Sequence, residues 1–114
     1  MEDATFGRTM LFDFYGELLT DKQREYFDLH YNEDLSLGEI AEQTGISRQG
    51  VWDIIRRAEA ALMETEKKIG LVGRFLEQRK VISDMQDKLK SLSTLTDGEA
   101  ARLVESLSEE LKKL

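Results

Sequence analysis

The side chains that most often carry catalysis are scarce in this 114-residue chain. His30 is the only histidine, and there is no cysteine. It sits in the aromatic segment Tyr26–Tyr31, where packing or capping suits it better than proton transfer, which needs a second positioned group. The carboxylate pairs Glu39/Glu42 and Glu109/Glu110 have the spacing of solvated helix faces. No thiolate, second histidine or Gly-rich phosphate loop is present to complete a metal or nucleotide site. No enzyme activity, metal or cofactor is therefore expected. The remaining chemistry is that of binding. One short segment holds Ser47, Arg48, Gln49, Trp52, Arg56 and Arg57, and Trp52 is the only tryptophan. Further on, residues 66–90 carry seven Lys and Arg against four Asp and Glu. That basic stretch, with Lys67, Lys68, Arg74, Arg79 and Lys80, suits RNA phosphates and a charged coiled-coil surface equally.

The elements that must hold these groups are helical. There is no proline, Glu, Lys, Leu, Arg and Ala are abundant, and no alternating strand pattern occurs. The class is all-α. A first helix is expected over 5–19, with Phe6, Met10, Phe14 and Leu18 on one face. Thr20-Asp21-Lys22-Gln23 forms a capping box that opens a second helix, running to about Tyr31. Ser36-Leu37-Gly38-Glu39 is another, starting a short helix that Gly45 ends. Ser47 caps a fourth helix to about Ile69, whose apolar positions are Val51, Ile55, Ala58, Leu62 and Ile69. Gly70 and Gly73 mark a turn or kink. A fifth helix follows, about 71–92, with Phe75, Ile82 and Leu89 at heptad spacing. A third capping box, Thr96-Asp97-Gly98-Glu99, opens the last helix, and Ser91–Thr96 is the one candidate hinge.

The third and fourth helices read as a helix-turn-helix over roughly Ser36 to Ala58. Two helices that cross closely need a small residue at the contact, which Ala41 supplies, and the tight turn needs Gly45 four residues later. Ile46 plugs the angle, and Val51 and Ile55 return the next helix to the core. From Leu19 to Met63 the chain resembles region 4 of bacterial sigma factors, through "LLTDKQREYFDLHY", "LSLGEIAEQTGIS" and Arg56-Arg57-Ala58. Over nearly its full length it resembles the YlxM family, small bacterial proteins in which a helix-turn-helix half precedes a helical tail. That likeness rests on "LTDKQREYFDLHYNEDLSLGEIAEQTGISRQGVWDIIRRAE" and "EKKIGL".

The resemblance implies a second helix that enters the major groove by its N-terminal turns. On this chain the facing residues would be Ser47, Arg48, Gln49, Trp52, Asp53 and Arg56, with Arg57 beside them. Arg48 would pair with guanine and Gln49 with adenine. The departures are Trp52 and Ile54 at positions often polar or basic, and Asp53, which has the wrong sign for phosphate. The YlxM resemblance also implies a link to the signal recognition particle pathway, inferred from gene neighbourhood. Two functions follow: a regulatory protein that binds DNA or RNA, or a protein-interaction accessory factor of the particle that uses the helix-turn-helix as scaffold. Trp52 is then an interface residue or tucks against its own tail.

Charge distribution bears on that choice. Residues 1–64 hold six Lys and Arg against fourteen Asp and Glu, while residues 65–114 hold ten against nine. An acidic N-terminal half opposes nonspecific attraction to phosphates. The expected organisation is a helix-turn-helix domain over 1–69 and a helical extension over 70–114 that self-associates, most simply as a homodimer. The acidic Met1-Glu2-Asp3 leads into no signal segment, and no apolar run approaches the ~20 residues of a membrane span. The expected location is the cytoplasm, without membrane insertion.

Overall fold

The structure, a computed structural model, describes residues 4–114, so the acidic start at Met1–Asp3 lies outside the described residues. Helix α1 spans Ala4–Tyr15 and tightens into a 3-10 turn at Gly16–Leu18. Helix α2, Asp21–Phe27, runs on into a π turn at Asp28–Asn32. Helices α3 (Leu37–Thr44), α4 (Arg48–Ile69), α5 (Leu71–Ser93) and α6 (Gly98–Leu111) follow, and no strand occurs among the described residues. The protein is all-α. It forms two compact units, one ending at Val72 and one spanning Gly73–Leu114.

In the first unit the helix starts are set by local hydrogen bonds. The Thr20 and Ser36 capping boxes both close reciprocally with Gln23 and Glu39. That bonding holds the Glu39 carboxyl below its ordinary range, because it accepts from the Ser36 amide. Long α4 is the spine against which α1, α2 and α3 pack. Its inward stripe of Val51, Ile55, Ala58 and Leu62 is buried, and Val51 and Ile55 join Tyr26 and Ile40 in one core cluster. The last apolar position expected on that stripe, Ile69, is instead 43% exposed. It lies in the final turn of α4, just before Gly70 ends the helix in the left-handed conformation.

The expected face of α1 is corrected. Phe6, Phe14 and Leu18 are exposed, whereas Tyr15 and Leu19 are buried. Phe12 stacks on Phe27 with ring centroids 5.0 Å apart. A spacing of four marks a helical stripe but does not say which of two apolar stripes turns inward. Gly16 leaves room for that stacking: it is buried, and a Cβ there would stand 3.3 Å from the Phe12 ring.

Gly45 caps α3 with φ 76°, and its amide donates to the Ala41 carbonyl at 2.9 Å. A Cβ at Gly45 would meet nothing within 4 Å, so substitution there strains the backbone alone. Gly45→Val should cost at least about 1–2 kcal/mol, and Gly45→Asn much less, because asparagine tolerates the left-handed region. Thermal melts of the two variants check this, and equal melts would contradict the turn geometry. Ala41 is packed against the core cluster at the crossing, as the helix-turn-helix spacing requires.

A buried tyrosine secures the start of α5. The Tyr15 hydroxyl donates to Glu66 Oε1 at 2.5 Å and accepts from the Leu71 amide at 3.0 Å, while the same Glu66 oxygen accepts from the Val72 amide at 3.0 Å. These amides are first-turn donors with no partner inside their own helix. Burial, reinforced by the bond to Glu66, raises the Tyr15 pKa above its ordinary 10.0. A raised tyrosine pKa means the folded state holds its proton more tightly. The stability gained is complete below about pH 10 and is lost as pH rises through the folded-state value. An alkaline melting series should therefore fall less steeply in Tyr15→Phe than in the parent chain.

In the second unit α5 and α6 form an antiparallel hairpin through the turn at Thr94–Asp97. Arg79 Nη1 donates to the backbone oxygen of Leu114 at 3.1 Å, and Ile82 and Val104 are buried. The third capping box does not form. Asp97 is the N-cap without a side-chain bond, and the Thr96 hydroxyl turns back to the Leu92 carbonyl at 3.1 Å. The Thr96 hydroxyl serves the end of α5 instead of the start of α6.

Candidate nucleic-acid interface

The exposed groups of the helix-turn-helix are set by the start of α4. Ser47 is its N-cap, and its Oγ accepts from the Gly50 amide at 3.0 Å. The Ser47 oxygen is thus engaged in capping, with its hydroxyl proton still available to a ligand. Capping fixes where the next residues emerge. At about 100° per residue, Arg48, Trp52 and Arg56 descend one side of the helix, and Gln49 and Asp53 lie next to them. All five stand opposite or beside the buried stripe of Val51, Ile55 and Ala58.

Arg48 is exposed, and its guanidinium lies along the first turn of α3: a Cβ built on Gly38 would stand 3.0 Å from Arg48 Nη2. No carboxylate within ion-pair distance of Arg48 is found among the described residues. Trp52 is 36% exposed, and with Leu37, Arg48 and Gln49 it lines an open hollow between α3 and α4. Asp53 engages two of the expected contact residues. Its Oδ1 accepts from Arg56 Nη2 at 3.2 Å and from Gln49 Nε2 at 3.4 Å. Both partners are solvent-facing, so the ion pair contributes little to stability, yet it offsets the charge of Arg56. Arg57 is exposed on the adjoining face, about 100° further round. The structure thus gathers Ser47, Arg48, Gln49, Trp52 and Arg56 on one accessible surface and sets Arg57 apart from them.

Two features of the first unit escape a reading of motifs. Gly38 is more than a capping-box residue, because its missing side chain makes the space that Arg48 occupies. The signal was present: a glycine inside a short helix costs about 1 kcal/mol relative to alanine and calls for a packing reason. The second is Arg8, whose guanidinium lies 4.4 Å from the centroid of the Tyr31 ring. Tyr31 in turn donates to Glu59 at 3.3 Å, and its pKa is raised by burial first and by Glu59 next. His30 fills a structural place, with Nδ1 2.8 Å from the Leu35 carbonyl and its ring against Tyr31. Among the described residues no group of His, Asp or Glu is arranged to hold a metal, and no helix is long and apolar enough to cross a membrane.

Comparison with known proteins agrees with the helix-turn-helix geometry. The sequence profile of the family described as "Putative helix-turn-helix protein, YlxM / p13 like" matches residues 2–100. A UPF0122 protein of Thermoanaerobacter sp. (strain X514) is 44% identical over 119 residues, covering 100% of this chain and 98% of the relative. One from Geobacillus kaustophilus is 46% identical over 109 residues, covering 96% and 98%. Another from Shouchella clausii is 41% identical over 114 residues, covering 100% and 99%. A profile match over most of the chain, with relatives of nearly the same length, places the helix-turn-helix and the helices after it within one family. The chain belongs to the YlxM / p13-like helix-turn-helix family.

Proposed function

We propose that the protein is a regulatory helix-turn-helix protein of the cytoplasm that binds nucleic acid through the first turns of α4 and catalyses no reaction. The observation that supports this most is Arg48, an exposed guanidinium at the start of the second helix with no carboxylate partner among the described residues. An unneutralised arginine at that position is available for a bidentate contact to a guanine edge. Gln49 adds an amide that can serve adenine once it leaves Asp53, Ser47, Trp52 and Arg56 flank them, and Arg57 would reach a phosphate from the adjoining face. Specific contacts of this kind have to work against the acidic charge of residues 1–64, so affinity depends on few residues and its fall with salt is shallow.

A second reading is favoured by a different observation. Trp52 is half-exposed beside Leu37 in a hollow, and Asp53 neutralises the next arginine along. An aromatic anchor beside a leucine and an arginine is the make-up of a protein-binding spot, and under this reading the chain is an accessory factor of the signal recognition particle. Titration of fluorescent duplex DNA and of structured RNA against the full chain at low salt separates the two. Saturable binding that weakens with salt supports the nucleic-acid reading. No binding to either, with retention by the purified particle through Trp52, overturns it.

A further inference from the structure

The second unit leaves most of its large hydrophobic side chains uncovered. It has 42 residues, near the length below which chains need disulfides, a metal or association to stay folded. It contains no cysteine and no metal-binding group among the described residues. Its large hydrophobic side chains are mostly exposed, and only Ile82 and Val104 are buried. Meanwhile Met85, Leu92, Leu103 and Leu107 are between 40% and 62% exposed.

These exposed residues form one face. On α5, Met85 and Leu92 lie roughly 60–80° to one side of buried Ile82, and on α6 Leu107 and Leu103 lie roughly 60–100° to the same side of Val104. Because the helices run antiparallel, an offset of equal sense on each turns both rows toward the same side of the hairpin. The charges differ between the helices. Residues 73–93 carry five Lys and Arg against three Asp and Glu, whereas α6 carries one against four. Arg74 and Lys88 border the apolar row on α5, and Glu99 and Glu110 border it on α6.

We propose that this face binds the same face of a second copy, with α5 of each chain lying on α6 of the other in a four-helix bundle. A two-fold axis parallel to the helices gives that pairing and makes every neighbouring pair of helices antiparallel. It sets the basic helix of one copy against the acidic helix of the other. The alternative two-fold stacks α5 on α5 and α6 on α6, placing like charges together. The proposal does not depend on whether α4 binds nucleic acid.

The full chain tests it. Sedimentation at micromolar concentration should give twice the 13.1 kDa chain mass. Leu103→Glu with Leu107→Glu should weaken the dimer by about a hundredfold or more, with the melt of the first unit retained. Helix pairing is read from cysteines introduced into this cysteine-free chain. Under oxidation a mixture of Met85→Cys and Leu107→Cys chains should form a mixed disulfide dimer, because those positions share a level in the hairpin. A 13.1 kDa monomer at these concentrations overturns the proposal. So does a disulfide dimer formed by Met85→Cys alone, since it places α5 on α5.

Discussion

Phe27→Ala should destabilise the first unit by about 3–5 kcal/mol, the range for removing a fully buried aromatic ring. Phe27 has no exposed surface, stacks on Phe12 at 5.0 Å and packs at 4.8 Å against Tyr31. The ring therefore joins α1, α2 and the π turn in one contact, and its loss leaves a cavity that three elements border. Phe14→Ala removes the same side chain from a site that is 36% exposed, and should cost less, about 1–2 kcal/mol. Small domains have about 5–15 kcal/mol in total, so the first change takes a large share of it and the second a smaller one. Urea melts of both variants give the comparison. A larger loss for Phe14 than for Phe27 would mean that α1 packs by its Phe6–Phe14 stripe after all.

That contrast shows what kind of information the sequence carries. Where a helix begins or ends was readable, because a cap is a local event. The Thr20, Ser36 and Ser47 starts and the Gly45 and Gly70 ends all appear as their side chains and allowed φ values require. The inward face of α4 was readable too, since its four buried positions form a single apolar stripe. The inward face of α1 was not, because two apolar stripes compete there and the winner depends on Phe27 across the interface. The Thr96 box failed for a related reason: a hydroxyl can bond forward to a helix start or back to the preceding carbonyl, and the turn geometry chose Leu92. At the candidate site the residue types were legible and their pairings were not. Nothing in the spacing says that Asp53 holds both Gln49 and Arg56, or that Arg48 reaches back to Gly38. Those are rotamer choices made between neighbours on one exposed surface.

The pairing on Asp53 gives the functional prediction its sign. Under the nucleic-acid reading, Arg48→Ala should lose a bidentate base contact worth roughly 1–3 kcal/mol, about five- to 150-fold in affinity, and relax preference at one base pair. Arg56→Ala should act differently, because a phosphate contact carries no sequence information. It should weaken binding to every duplex alike and flatten the dependence of log affinity on log salt by about one unit. Asp53→Asn should strengthen binding. It removes a negative charge that faces the phosphates and also frees Arg56, whose Nη2 it holds at 3.2 Å. An isolated surface ion pair is weak, so the gain comes mainly from the phosphate side and should fade as salt rises. The measurement is fluorescence anisotropy on duplexes selected by the parent chain, at several salt concentrations, with a scrambled duplex for the specificity ratio. The opposite effects of Arg48→Ala and Asp53→Asn cannot arise from altered folding alone, since both positions are solvent-facing and neither lies in the core cluster. If both variants bind as the parent does while Trp52→Ala releases a protein partner, then α4 serves as a protein contact in which Trp52 is the anchor.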